Sequence, residues 1–301
     1  MIAWLPNPRL RLLLGAAVIS FSPVFVALVS VPSTNSAFYR VFFGGTALLV
    51  WLLVRREFIW PRKAVMVWLI LAAFGFAADL WFWHRSVLFI GPGLSTLLGN
   101  FQVFFMTLAG ALFLGQKPAM RQLVAIPMAL VGLAMIVGLD WQDLDADYRW
   151  GVIFGLLTAL SYAAYMLFFR EAQTRSVRGK AAALPTRELT IVSLGSALLL
   201  AASAAAEGTS LVIPTASDAA WLLGYGIIAH VFGWLLIASS LAEVPPAMVG
   251  LSLLLQPLLS FLWDVLIFDR QVLPLEMAGA AIALIAIYIG AKQPARAKAV
   301  G

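Results

Sequence analysis

The chain has 301 residues, of which 62% are hydrophobic and only 11% charged. A soluble domain carries about 25% charged residues, so this chain cannot cover a water-facing surface, and a bilayer is its natural solvent. Its formal net charge is +6 and it contains no cysteine, which excludes disulfides and thiolate metal sites.

Ten apolar stretches read in chain order as membrane spans, most near the ~20 residues a spanning helix needs. The first, 11–31, follows Arg9 and Arg11 and carries Pro23. Its apolar run from Leu12 to Val31 exceeds the roughly 7–15 residues of a signal-peptide core, so it is expected to be retained. The second, 36–54, has Arg40 near one end and Gly44-Gly45 inside it. The third, 65–88, holds Asp79, Trp81, Trp83 and His84, with Arg85 beside them. The fourth, 93–114, carries Ser95, Gly99 and Gln102 as a stripe, with Asn100 at its flank. The fifth, 121–139, contains Pro127, and the sixth, 150–169, places Thr158, Tyr162 and Tyr165 on one face. The seventh is 187–206, and the eighth, 218–239, sets His230 and Trp234 four residues apart. In the ninth, 246–268, Ser252, Gln256, Ser260 and Asp264 recur every four residues beside Trp263, with Pro257 within the span. The tenth is 272–291. Residues spaced by three or four share a helical face.

Polar side chains inside spans are default pathway candidates, because the bilayer makes them costly. The amides of Gln102, Gln256 and Asn100 donate and accept, which suits a zwitterion leaving water; the competing reading is hydrogen bonding between helices. Trp81, His84, Tyr162, Tyr165, His230, Trp234 and Trp263, with Ser260, are read as a substrate site of aromatic walls and polar rims. Against this, aromatic belts and packed histidines are common. Asp79, Asp264 and Arg40 are candidates for coupling or gating, with a structural ion pair as the alternative. Pro23 and Pro257 are candidate hinges, since each removes a helix hydrogen bond.

Placing the N-terminus inside puts all Lys and Arg except Arg40, Arg85, Arg149 and Arg270 on the inner face. That bias predicts both termini cytoplasmic. The basic patches are short and lack interleaved aromatics, which argues against nucleic acid. No His-Glu-x-x-His, Gly-x-Ser-x-Gly or phosphate-cradling loop is present, which argues against an enzyme. No cofactor or metal is expected, with only two histidines in the chain.

The two halves repeat. A shift of 153 residues places Trp81 on Trp234, Ser86 on Ser239 and Pro92 on Pro245, and a shift of 154 places Gln102 on Gln256. A five-span unit enters the membrane on one side and leaves on the other, so its copy is inverted. The expected fold is an all-α polytopic membrane protein of ten transmembrane helices in two inverted five-helix repeats, 1–145 and 146–301.

The five-plus-five layout, Gly91-Pro92-Gly93 opening the fourth span, Val244-Pro245-Pro246 opening the ninth and the turn Gly115-Gln116-Lys117-Pro118 resemble the drug/metabolite transporter superfamily in its ten-helix, EamA-like form. Within it the chain is most similar to bacterial aromatic amino acid exporters. Many members carry Glu where this chain has Gln116. The resemblance implies a bacterial inner-membrane protein that exports aromatic and other neutral amino acids by alternating access, the monomer forming the pathway. The alternative is a broad drug or cation exporter, for which Asp264 or Asp79 is the essential group.

Overall fold

The computed structural model describes residues 7–113, 120–137, 145–176, 185–240, 253, 255–269 and 271–291. Every regular element among them is helical. Ser252, the turn at 115–118 and Val244-Pro245-Pro246 lie outside the described residues.

The first span is divided into α1, Pro8–Ile19, and α2, Ser22–Leu28. Asn7 caps α1, its side chain accepting from the Arg9 and Leu10 amides. Pro23 stands in the first turn of α2, where a missing N–H costs nothing. α3 is Ser33–Val54 and α4 is Lys63–Ile90. Gly91, at φ 80°, ends α4 and lets the chain turn into Pro92, the first residue of α5, Pro92–Gly99. α6, Gln102–Phe113, follows after a break at Asn100 and Phe101. There the Asn100 side chain donates to the Thr96 carbonyl at 2.7 Å, and the Phe101 amide bonds three residues back to Leu98. A side chain that takes a backbone carbonyl competes with the helical ladder.

α7 is Met120–Val137, α8 Ala146–Ser176 and α9 Thr186–Ala206. The eighth expected span has three parts: α10, Ala216–Gly224; a π-helical segment, Tyr225–Gly233; and α11, Trp234–Ser240. α12, Leu255–Phe268, and α13, Pro274–Ala291, complete the described chain.

Among the described residues, six stretches are long and apolar enough to cross a bilayer: Pro8–Leu28, Ser33–Val54, Lys63–Ile90, Ala146–Ser176, Thr186–Ala206 and Ala216–Ile237. Leu123–Met135, Leu255–Phe268 and Pro274–Ile289 are shorter apolar helices. The fourth expected span is the divided pair α5–α6.

The packing inverts that of a soluble protein. Large apolar side chains such as Val54, Leu112 and Leu198 point outward, while Arg40, Asp79, His84, His230 and Asp264 are buried. α4 packs on α8 and α9; α1 on the π segment and α11; α3 on α9 and the π segment; α5 on α12; and α7 on α13. Small residues permit the closest crossings. A Cβ added to Gly44 meets the His230 ring and, at 3.0 Å, the Gly226 carbonyl. One added to Gly132 meets the Gly279 carbonyl at 2.7 Å. These are backbone-to-backbone approaches of the kind small residues give in membranes.

Candidate functional site

A cavity of about 60 Å³ lies where α1–α2, α3, α4, α5, α8, α11 and α12 meet. Arg40 and Asp79 are its charged lining residues, and Ser22, Thr96, Asn100, Thr158 and Gln256 add polar groups. Phe76, Trp83, Tyr162 and Trp234 supply aromatic walls. It has room for water.

Arg40 is 6% exposed. Its Nη1 donates to the Tyr225 hydroxyl at 2.9 Å. That hydroxyl lies 3.3 Å from His84 Nε2, and His84 Nδ1 lies 2.7 Å from the Leu80 carbonyl. A carbonyl only accepts, so Nδ1 carries the proton and Nε2 accepts from Tyr225 in the neutral ring. The guanidinium carbon also sits 5.0 Å from the Tyr225 ring centroid and 6.0 Å from that of Trp83, within cation–π range. Asp79 feels the charge of Arg40, yet among the described residues no ion pair within 4.0 Å joins them.

Beside the cavity the rings form one cluster. Tyr165 stacks on Phe76 at 4.5 Å and on Tyr162 at 6.0 Å, and Trp234 meets Tyr165 edge-on at 5.9 Å. His230 stacks on Phe76 at 5.7 Å. Its Nε2 lies 2.8 Å from Ser193 Oγ, which donates its own proton to Leu189 O. His230 therefore donates through Nε2, and its buried Nδ1 has no partner. The Tyr165 hydroxyl, Trp234 Nε1, Thr158 Oγ1 and Gln102 Oε1 are likewise buried without a partner. Gln102 is within hydrogen-bonding reach of Tyr162. Buried polar atoms are almost always hydrogen-bonded, so such a concentration beside a cavity marks groups suited to water or a passing solute.

The sequence candidates thus divide. Arg40, Asp79, Asn100, Tyr162, Trp234 and Gln256 line the cavity, with Gln102, Tyr165 and His230 against its walls, and His84 reaches Arg40 through Tyr225. Four others serve elsewhere. Ser260 donates to the Ser20 carbonyl at 3.1 Å and Trp263 Nε1 to Ser20 Oγ at 2.9 Å, so both fasten the break between α1 and α2. Asp264 Oδ2 accepts from the Gly93 amide at 3.1 Å, at the N-terminus of α5. Trp81 faces away, donating to Glu207 at 2.8 Å beneath Arg85, whose guanidinium carbon is 3.5 Å from its ring centroid. Of the hinge candidates, Pro23 adjoins the α1–α2 break, and Pro257 is buried within α12.

Sequence reasoning missed Tyr225, Phe76, Ser22 and Thr96. A signal existed for one wall, since Phe76, Asp79, Leu80 and Trp83 fall at helical spacing on one face of α4. Tyr225 had none, because its approach to Arg40 depends on the π segment.

A model of the EamA-like transporter family matches residues 10–138 and again 149–290. An uncharacterized transporter of Archaeoglobus fulgidus is 23% identical over 278 residues, 92% of this chain and 94% of that protein. The uncharacterized inner membrane transporter YhbE of Escherichia coli K12 is 25% identical over 135 residues, 42% of each chain. A crystal structure of a protein with 18% identity superposes with a TM-score of 0.65 over 94% of this chain and 95% of the other, a likeness of fold alone. The family and these relatives are named as transporters, not enzymes, which accords with polar side chains buried among membrane-spanning helices. With two successive matches taking in most of its length, the chain is a multi-pass integral membrane protein that belongs to the EamA-like transporter family.

Proposed function

We propose that the protein exports aromatic and other neutral amino acids by alternating access, the solute passing through the cavity lined by Arg40, Asp79 and Gln256. One observation carries this reading. An arginine and an aspartic acid side chain face one aromatic-walled cavity without pairing with each other. An amino acid brings the opposite charge for each and a side chain for the walls. The pathway is read as two inverted repeats, 1–145 and 146–301, in a bacterial inner membrane with both termini cytoplasmic.

Two features support the inverted repeat. The family unit is matched twice. The helix contacts are also reciprocal: α4 on α8 is mirrored by the π segment and α11 on α1, and α4 on α9 by the π segment on α3. The pairs α3–α9, α5–α12 and α7–α13 are their own mirror images, as a two-fold axis in the membrane plane requires.

The test is uptake of labelled tryptophan or phenylalanine into proteoliposomes, with and without a pH gradient. Saturable uptake is expected, reduced at least about tenfold in Gln256→Ala, whose removed amide lies at the cavity wall. Uptake no greater than in empty liposomes overturns the substrate. Asp79 also favours a second reading, export of organic cations, under which Asp79→Asn abolishes export and Arg40→Gln does not. The buried Arg40 charge in the same cavity weighs against it.

A further inference from the structure

Arginine has five N–H donors in a planar fork. Arg40 commits one, Nη1, to Tyr225, and its buried Nε has no hydrogen-bond partner. The Nη1 bond turns that end of the group toward the π segment. The Nε–Nη2 edge is the side-on pair that binds a carboxylate through two parallel hydrogen bonds, and no protein group occupies it among the described residues. A buried cation without a counter-ion is costly. That cost is recovered when an anion docks on the edge.

We infer that Arg40 is the carboxylate anchor of the transported molecule and that Asp79 receives its ammonium group, an assignment that rests on the amino acid reading above. Both side chains line one cavity and are not in contact, so each keeps its capacity for a ligand. Were they bonded to each other, a zwitterion would have to break that pair to bind. Tyr225, itself fully buried, fixes the guanidinium by its hydroxyl and by its ring 5.0 Å away. The arrangement selects for a carboxylate and against a bare amine, because an amine lacking the carboxylate meets the unneutralised Arg40 charge.

The experiment is ligand-dependent thermal stabilisation of the purified full chain, which reports binding without transport. The probes are L-phenylalanine, 3-phenylpropionate, 2-phenylethylamine and L-alanine, on wild type, Arg40→Gln, Arg40→Lys and Asp79→Asn. Phenylalanine is expected to stabilise the wild type most. Arg40→Gln is expected to lose about 30-fold or more in apparent affinity for phenylpropionate, as for a truncated buried charge pair. Arg40→Lys keeps the charge but not the fork, so it keeps the protein testable should the Gln variant not fold; about a tenfold loss is expected. Asp79→Asn is expected to weaken phenylalanine while sparing phenylpropionate.

Phenylpropionate binding equally well to wild type and the Lys or Gln variant overturns the anchor. Phenylalanine stabilising all variants alike does the same while leaving the aromatic substrate standing. Stabilisation by alanine alone, lost with Arg40, keeps the anchor and removes the aromatic preference. No stabilisation of the wild type by any carboxylate overturns both.

Discussion

Asp264 and Asp79 are both buried carboxylates, 2% and 8% exposed, but their surroundings assign them different parts. Asp264 accepts the Gly93 amide at the first turn of α5, where a helix N-terminus favours negative charge. It therefore joins α12 to α5, and its burial is accounted for without a solute. Asp79 faces the cavity, and its chief electrostatic partner is the separate Arg40. Asp264→Asn keeps an oxygen acceptor for the Gly93 amide and gives up the charge–dipole contribution at that helix end, about 0.3–1 kcal/mol. Saturable uptake is expected to persist in that variant with a small fall in melting temperature. Asp79→Asn is expected to show the reverse, a near-unchanged melting temperature with uptake reduced at least about tenfold. Uptake lost in Asp264→Asn but kept in Asp79→Asn would exchange these two parts. The sequence set both residues down as coupling candidates, since depth in a span is the same for a cap and for a cavity wall.

Three spans are interrupted in different ways. Pro23 predicts a kink, and the chain does break just ahead of it, at Ser20 and Phe21, with Ser260 and Trp263 taking up the exposed Ser20 groups. Pro127 predicts another, yet α7 runs through it unbroken, as packed membrane helices allow. The breaks at Asn100 and in the π segment involve no proline and were not legible, because they arise from a side chain taking a carbonyl and from close packing. The π segment lies close against α3, with Gly44 against His230 and Gly226. A methyl group at position 44 has no room: it meets the His230 ring and the Gly226 carbonyl. Gly44→Ala is expected to destabilise by about 1–3 kcal/mol, the usual cost of overpacking, seen as a lower thermal midpoint. Because His230 bonds only through Nε2 to Ser193, it is the group that must shift. Gly195→Ala, where an added Cβ meets only Ala73 Cβ at 3.0 Å, is the control and is expected to cost less. Equal midpoints for Gly44→Ala and wild type would show that the crossing has slack.

For the whole molecule, the long apolar stretches were readable because bilayer thickness dictates their length, whereas the contacts that close the molecule were not, because they join residues far apart in sequence. Glu207 is the clearest case. It follows α9, was never a candidate, and receives the Thr34 hydroxyl, the Trp81 indole N–H and the Arg85 guanidinium, each at 2.8 Å. Asn35 adds bonds to Thr209 and to the Ser210 carbonyl, the Tyr39 hydroxyl donates to the Leu211 carbonyl, and Asp218 accepts from the Ser30 amide and hydroxyl. This seam ties the first half's α3 and α4 to the loop after α9, and its Tyr39 is the chain neighbour of the cavity's Arg40. Burial pushes the Glu207 carboxyl up, but the hydrogen bonds of Thr34 and Trp81 and the charge of Arg85 outweigh it and hold the group below the ordinary glutamate value. A depressed carboxyl stabilises the closed seam above its ordinary value and loses that contribution as pH falls through the lowered one. The chain has no cysteine, so a single Leu211→Cys, whose backbone carbonyl still accepts from Tyr39, reports the seam through its reaction with a membrane-impermeant maleimide. At neutral pH, Glu207→Gln keeps one oxygen acceptor, enough for the Trp81 N–H, but sets an amide NH2 against the Thr34 hydroxyl and removes the charge facing Arg85, and is expected to raise the labelling rate several-fold. Equal rates in the presence and absence of Glu207→Gln would mean that the seam is held by Asn35 and Asp218 without it.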